Sequence, residues 1–172
     1  GDACVCRSIH PRRRATGYPG DKQMKSAPSE LIIYTDGGSR GNPGPAACAF
    51  IVKDLQNKIL HQQGFFLGIT TNNQAEYQAV IEALKWLSTI HYQPSTINFF
   101  LDSQLVVNQI NGTYKIKNQD LKIKNLEIKT LIKNCSRSAT KLMFKIVNFE
   151  HVPRSQNFLA DKLVNKTLDN VL

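Results

Sequence analysis

The hydrophobic pattern in the first half of the chain changes from the period of strands to that of a helix. Three short runs rich in branched and aromatic residues, at 31–36, 46–54 and 58–68, predict three strands. A short polar turn separates the last two runs, so we expect these strands to form an antiparallel hairpin. From about residue 73 to 89, apolar residues recur every three or four positions, which predicts a long helix.

The second half of the chain alternates shorter elements. Residues 96–102 form an apolar run typical of a buried strand, and a short helix follows that stops near Gly112. The pattern then predicts a lysine-rich helix over 119–134, a strand over 141–152 and a last helix over 156–169. The order βββαβααβα predicts an α/β fold, a mixed five-stranded sheet with helices packed on it.

The first 29 residues show no hydrophobic period and contain much proline, glycine and arginine. This composition predicts a disordered basic tail in front of a single domain over residues 30–172. Because the stretch that begins at Met24 would be a natural start, residues 1–23 are either a non-native leader or a native basic arm that touches phosphates.

Composition narrows the class of protein. Of 172 residues, 41% are hydrophobic and 20% are charged, as in ordinary globular proteins. The sequence has neither a run of about 20 apolar residues nor a readable signal peptide, so we expect a cytoplasmic monomer without membrane contact. The net charge of +9 favours a polyanionic partner such as nucleic acid.

The four cysteines give little evidence of metal or redox chemistry. Cys48 lies in an apolar segment and is interpreted as a small core residue. Cys4 and Cys6, with His10, have a spacing that matches no common zinc site.

Two acids close predicted strands. Asp36 stands between a strand and the stiff glycine-rich stretch "GGSRGNPGPAA", and it is either a metal ligand or a turn-capping residue. Asp102 ends the fourth strand, where it either binds a metal or caps the helix that follows.

Two further acids lie on predicted helices. Glu76 follows Asn73 by three residues, the spacing of a helix-capping box, so its structural explanation is strong. Asp161 borders the apolar stripe of the last helix. The predicted topology nevertheless brings all four acids together, and a cluster of carboxylates is costly unless divalent cations neutralise it. Two such ions on a basic protein indicate phosphoryl chemistry on nucleic acid.

Four stretches together resemble, in order, the motif blocks of type 1 ribonuclease H. They are "YTDGGSRGNPGPAA", "TTNNQAEYQAV", "LDSQLVVNQI" and "HVPRSQNFLADKLVN", and the similarity covers about residues 31–170. The resemblance implies a ribonuclease H-like fold. It also implies a sequence-nonspecific endoribonuclease that hydrolyses the RNA strand of RNA/DNA hybrids and leaves 5′-phosphate and 3′-hydroxyl ends.

The resemblance also assigns catalytic residues. Asp36, Glu76, Asp102 and Asp161 would hold Mg²⁺, with Mn²⁺ as a substitute and two ions when substrate is bound. His151 would be a mobile loop histidine that helps to move a proton or release product, or else a solvated histidine without a role. Arg154 would contact phosphate or replace that histidine.

Further positions match residues that contact the hybrid. They are Gly37, Gly38, Ser39, Asn42, Thr71, Asn72, Asn73 and Gln104. Amides both donate to and accept from 2′-hydroxyl groups and base edges, and the glycines let the backbone approach a groove. The competing explanations are a turn residue for Asn42 and helix capping for Asn72 and Asn73, while Thr71 would hold a DNA-strand phosphate.

The chain departs from several family members because it lacks a basic protrusion between its two central helices. The segment at 114–133 nevertheless carries six lysines against two acids, which either replace that protrusion in binding phosphate or form a solvated helix face. Three alternatives to a hybrid-specific enzyme remain at this point: a nuclease for double-stranded RNA or RNA–DNA junctions, a non-catalytic hybrid-binding module, and an integrase-like relative, which the amides and the glycine turn disfavour.

Overall fold

The computed structural model describes residues 28–90, 94–137 and 145–171, except for the side chains of 135–137. The hypotheses about the tail, about Cys4, Cys6 and His10, and about residues 141–144 of the last strand therefore lie outside the described residues.

The described residues form five strands and four α-helices in the predicted order βββαβααβα. The strands are β1 (Glu30–Ser39), β2 (Gly44–Lys53), β3 (Ile59–Thr70), β4 (Thr96–Leu101) and β5 (Ile146–His151). The helices are α1 (Asn72–Leu87), α2 (Gln104–Ile110), α3 (Gln119–Arg137) and α4 (Phe158–Asp169), with a single 3₁₀ turn at Arg154–Gln156 before the last helix.

The strands form one mixed sheet in the order β3-β2-β1-β4-β5. The first three strands are an antiparallel meander, and the crossovers add β4 and β5 in parallel to β1. This topology confirms the predicted fold class, including the hairpin between β2 and β3.

The register of the two central strands explains how distant acids meet. In the parallel pair of β1 and β4, Tyr34 lies opposite Phe100. Asp36 and Asp102 each follow two residues later, so both carboxylates reach the same edge of the sheet on adjacent strands. The sheet therefore brings together two acids that are 66 positions apart in the chain.

Helices cover both faces of the sheet. Helix α1 packs on β1 and β2 and against α3, over a core that includes Ile33, Phe50 and Tyr77. Helix α4 packs on the opposite face, where Val164 and Leu168 lie against the small side chains of β2. Cys48 is buried, as expected for a small core residue.

Several predicted boundaries were wrong. Strand β1 does not stop at Asp36 but pairs with β2 as far as Ser39, so only a tight hairpin loop of residues 40–43 remains from the glycine-rich stretch. The cap of α1 is Thr71 rather than Asn73, since its side chain accepts a hydrogen bond from the Gln74 amide and Gln74 completes the capping box. The capping explanation for Glu76 is thereby excluded.

The connection between α2 and α3 is short. Eight residues, 111–118, separate the two helices, and the structure confirms that no basic protrusion lies there. None of the helices in the described ranges is both long and apolar enough to cross a membrane.

Candidate active site

Three of the four predicted acids converge in space. Asp36 lies on β1, Glu76 on α1 and Asp102 directly after β4, and each offers a carboxylate oxygen within 4.8 Å of the other two. Asp36 and Glu76 are each only 7% exposed. This is a cluster of hard oxygen ligands at one end of the sheet, and among the described residues it is the one group with the geometry of a metal site.

The cap explanation for Asp102 is also wrong, because the adjacent residue performs that task. The Ser103 hydroxyl accepts a hydrogen bond from the Val106 amide at 3.4 Å and caps α2. Asp102 is therefore free of a capping role, and its carboxylate turns to the other acids.

Burial makes this cluster electrostatically unfavourable without a cation. Burial, followed by the charges of Asp102 and Asp161, raises the pKa of Asp36 to about 7. Burial and the Asp36 charge likewise raise the pKa of Glu76 well above its ordinary value. The Oε2 atom of Glu76 is buried without a hydrogen-bond partner among the described residues. An orphaned carboxylate oxygen facing two other carboxylates fits a bound divalent cation.

Asp161 lies next to this cluster but is paired differently. Its Oδ1 atom accepts a hydrogen bond from the Arg154 guanidinium at 2.5 Å, and its Oδ2 atom accepts one from Asn165 Nδ2 at 3.3 Å. Its charge raises the pKa of Asp36, which shows that it belongs to the same electrostatic site. The fourth acid is thus present at the site with Arg154 as its counter-ion.

All four acids line one open cleft of about 210 Å³ between the hairpin, α1 and α4. The cleft wall also includes six of the residues predicted to contact nucleic acid or their neighbours, namely Gly37, Gly38, Ser39, Arg40, Asn72 and Arg154. An open polar groove next to clustered carboxylates can admit a phosphodiester backbone.

The hairpin loop and α1 hold each other through side-chain amides. Asn42 Oδ1 accepts a hydrogen bond from the Asn72 amide at 3.1 Å, and Asn72 Oδ1 accepts one from the Ser39 amide at 3.2 Å. Both amide oxygens are therefore used structurally. Their Nδ2 groups have no bond to other described residues and remain available to a ligand, so structural and binding roles coexist at these two positions.

The remaining predicted contact residues lie around the cleft rather than in its wall. Thr71 caps α1, while Asn73 and Gln104 are exposed near the starts of α1 and α2. His151 is exposed, but it is not in a loop: it is the last residue of β5 and pairs with Leu101 of β4. It therefore lies within the strand predicted over 141–152, and not in the loop that the resemblance implied, opposite the residue that precedes Asp102.

Sequence reasoning missed two amide residues of the site. Asn157 is buried at the start of α4, and its Nδ2 group donates to Asp102 Oδ1 at 3.0 Å. Asn165 bonds Asp161 from four residues along the same helix, a spacing that could have been recognised in the sequence. Asn157 gave no such signal, because an asparagine at a helix start is ordinarily interpreted as a cap.

Known proteins place this site in context. Residues 28–169 match the RNase H family model. Ribonuclease HI of Halobacterium salinarum is 36% identical over 137 residues, covering 80% of this chain and 63% of that protein. The bifunctional protein of Mycobacterium tuberculosis is 34% identical over 141 residues, covering 81% of this chain and 36% of its own length.

Solved structures agree with the sequence relatives. The crystal structure of RNase H1 from Halobacterium salinarum superposes with a TM-score of 0.72 at 35% identity, covering 82% of this chain and 98% of that one. LC11-RNase H1 in complex with an RNA/DNA hybrid gives a TM-score of 0.71 at 36% identity, with the same coverage of both chains.

This chain thus spans about a third to two thirds of the length of the curated relatives it matches. Within that span the family model, the sequence relatives and the fold of the solved structures all point to one family. The chain belongs to the RNase H family, in its type 1 branch.

Proposed function

We propose that this chain is a metal-dependent endoribonuclease that hydrolyses the RNA strand of RNA/DNA hybrids without sequence preference. The observation that carries the proposal is the buried convergence of Asp36, Glu76 and Asp102, with one oxygen of Glu76 left unpaired. Such an arrangement lowers the stability of the protein unless a cation binds there. The RNA/DNA hybrid bound to the similar LC11-RNase H1 supports the choice of substrate.

The donor set indicates which metal would bind. Asp36, Glu76, Asp102 and Asp161 offer only carboxylate oxygens, which suit Mg²⁺ and, as a substitute, Mn²⁺. Divalent cations bound there, two when substrate is present, would supply an activated water and neutralise charge on the leaving oxygen.

The protein's own groups would position the substrate. Arg154 is 77% exposed in its side chain, so its guanidinium can contact a phosphate at the cleft while remaining near Asp161. His151, exposed beside the end of β4, would give or take a proton during product release.

Recognition of the hybrid would come from the hairpin and the start of α1. The free amide groups of Asn42 and Asn72 would contact 2′-hydroxyl groups and base edges, as would Asn73 and Gln104. Gly37, Gly38 and Ser39 keep the cleft wall free of bulk, and Thr71 would hold a DNA-strand phosphate. These contacts read the shape of the minor groove, which explains why sequence preference is not expected.

The test is a cleavage assay on four matched substrates: an RNA/DNA hybrid, duplex RNA, duplex DNA and a DNA strand with an RNA junction. Each is incubated with Mg²⁺, with Mn²⁺ or with a chelator. We expect metal-dependent cleavage of the RNA strand in the hybrid, and no cleavage by the Asp102→Asn variant. Wild-type rates for that variant, or faster cleavage of duplex RNA than of the hybrid, would overturn the proposal.

The same assay separates an enzyme from a binding module. Hybrid binding by the wild type in a gel-shift experiment, without turnover under any of the metal conditions, would show that the chain only binds the hybrid.

A further inference from the structure

We propose that Asn157 is a positioning residue that fixes the Asp102 carboxylate in the orientation needed for metal binding. This inference rests on the proposed function for its consequences in catalysis, but not for its consequences in metal affinity.

The parallel pairing of β1 and β4 ends at Tyr34 and Phe100, just before the two acids that follow them. The side chain of Asn157 occupies the space beyond this point. Its Nδ2 group donates to the Thr35 carbonyl oxygen at 2.9 Å and to Asp102 Oδ1 at 3.0 Å. One amide group therefore bridges the strand that carries Asp36 and the carboxylate at the end of the other strand.

The same residue also fixes the fourth acid through its backbone. Its carbonyl oxygen accepts hydrogen bonds from the amides of Ala160 and Asp161, at 3.0 and 3.2 Å. Asn157 thus contacts β1 next to Asp36, the side chain of Asp102 and the backbone of Asp161. Its side chain thus joins β1 to Asp102, and its backbone joins both to the helix that carries Asp161.

An ordinary helix-capping role does not account for this geometry. Asn157 stands at the N-cap position of α4, but its side chain makes no capping hydrogen bond, and its Oδ1 atom has no partner among the described residues. A capping asparagine would direct that oxygen to the first amides of the helix. The orientation is set instead by two acceptors, which only the NH₂ end of the amide can satisfy.

Burial excludes direct contact with substrate. Asn157 is 1% exposed, so it can act on the reaction only through the groups it holds. By donating to one oxygen of Asp102, it leaves the other oxygen for a cation and removes rotational freedom from the carboxylate. Loss of such a hydrogen bond to a metal ligand typically lowers metal affinity or activity by roughly 10- to 100-fold.

The discriminating variant is Asn157→Ser. Serine caps helices about as well as asparagine, but its shorter side chain does not reach both Thr35 and Asp102. We expect the Mn²⁺ dissociation constant, measured by titration calorimetry on the metal-free protein, to rise roughly 10-fold or more. We expect kcat for the hybrid to fall while KM changes little, because the buried residue makes no substrate contact. Asn157→Ala should show the same losses with lower stability.

The matched control is Asn98→Ala on β4, the strand that leads to Asp102. Asn98 also makes two side-chain hydrogen bonds, to Glu30 at 2.6 Å and from Asn148 at 2.8 Å, at the other end of the strand from the acids. Its loss should lower the melting temperature and leave Mn²⁺ affinity unchanged. Wild-type Mn²⁺ affinity in folded Asn157→Ser would overturn the inference. Failure of the wild type to cleave hybrids would refute the proposed function, and the Mn²⁺ titrations would still decide the role of Asn157.

Discussion

Gly37 lies directly against the backbone of Glu76. A β-carbon on Gly37 would come within 2.2 Å of the Glu76 amide nitrogen and of the Ala75 carbonyl carbon. Because these are backbone atoms, they cannot rotate away from an added methyl group. The absence of a side chain at position 37 is therefore what lets α1 approach β1 closely enough for the Glu76 carboxylate to reach Asp36.

We expect Gly37→Ala to separate α1 from β1. The overlap should cost about 1–3 kcal/mol of unfolding free energy, as overpacking does elsewhere, and it should weaken Mn²⁺ binding because Glu76 is displaced. The measurement is denaturant unfolding followed by the fluorescence of Trp86, the single tryptophan of the chain, together with Mn²⁺ titration.

Gly38→Ala is the control for that variant. Its β-carbon would meet one methyl group of Val164 at 3.3 Å, and a side chain on the opposite face of the sheet can yield. Its loss of stability should be clearly smaller. Equal losses in the two variants would show that the approach of α1 to Gly37 has no special importance.

The raised pKa of Asp36 predicts a pH-dependent stability in the metal-free protein. The carboxyl titrates near 3.8 in the unfolded chain and at about 7 in the folded state. Below about pH 4 the carboxyl is protonated in both states, and its full contribution to the free energy of unfolding is present. As the pH rises through 7 this contribution is lost, because the unfolded chain gives up the proton at lower pH than the folded protein does. We therefore expect Asp36→Asn to be more stable than the wild type by about 1–4 kcal/mol at pH 8 in a chelator. Near pH 4 the two proteins should be equally stable.

Thermal unfolding at several pH values checks this expectation. Added Mn²⁺ should raise the melting temperature of the wild type at pH 8 far more than that of the variant, since cation binding stabilises only the folded state. A wild type that is as stable as Asp36→Asn at pH 8 without metal would contradict the electrostatic description of the cluster.

Much of this molecule could be predicted from its sequence, because the periodicities and the acids are local signals. The order of the elements and the positions of Asp36, Glu76 and Asp102 needed only the pattern and four motifs. The end of β1 was misplaced since glycines usually interrupt strands, whereas here they continue the ladder to Ser39.

Other features depend on contacts that no local pattern encodes. The bond from Asn157 to Asp102 joins residues 55 positions apart, and the approach of α1 to Gly37 depends on the packed geometry of the sheet. Likewise, the interpretation of Asn73 as the cap of α1 was wrong because Thr71, Asn72 and Asn73 all suit an N-cap position. The reciprocal hydrogen bonds with Gln74 select Thr71.

The pairing of Arg154 with Asp161 predicts opposite effects on metal and substrate binding. Burial and the neighbouring carboxylates raise the pKa values of Asp36 and Glu76, and the Arg154 guanidinium offsets part of that rise. The guanidinium also competes with a cation for Asp161. We therefore expect Arg154→Ala to bind Mn²⁺ more tightly than the wild type but to bind the hybrid more weakly, since a phosphate contact is lost. Stability should change by less than about 1 kcal/mol, because the Arg154 side chain is largely exposed.

Titration calorimetry with Mn²⁺ and fluorescence anisotropy with a labelled hybrid measure the two effects separately. Arg154→Lys keeps the charge without the planar fork, so its Mn²⁺ affinity should stay near that of the wild type. Weaker Mn²⁺ binding by Arg154→Ala would contradict the competition between Arg154 and the cation for Asp161. Unchanged hybrid affinity would show that Arg154 makes no phosphate contact.

Lys124 is the lysine of α3 that the fold holds against α1. Its ammonium group donates to Gln78 Oε1 at 2.6 Å, and with Thr70, Gln74 and Leu67 it lines a shallow depression of about 140 Å³ beside the start of α1. The other five lysines of the segment at 114–133 are exposed. Lys124 thus shares this depression with Gln74, which bonds Thr71, the residue predicted to hold a DNA-strand phosphate.

We expect Lys124→Ala to weaken binding of the hybrid and to reduce the slope of log K against log salt concentration by roughly 1, as the loss of one phosphate contact does. Lys133→Ala is the matched control, because Lys133 is an exposed lysine about 14 Å further along the same helix. Its slope should equal that of the wild type if the contact is local. Equal reductions in both variants would assign the effect to the overall charge of α3. An unchanged slope in Lys124→Ala would show that the lysines of α3 form a solvated face without a role in binding.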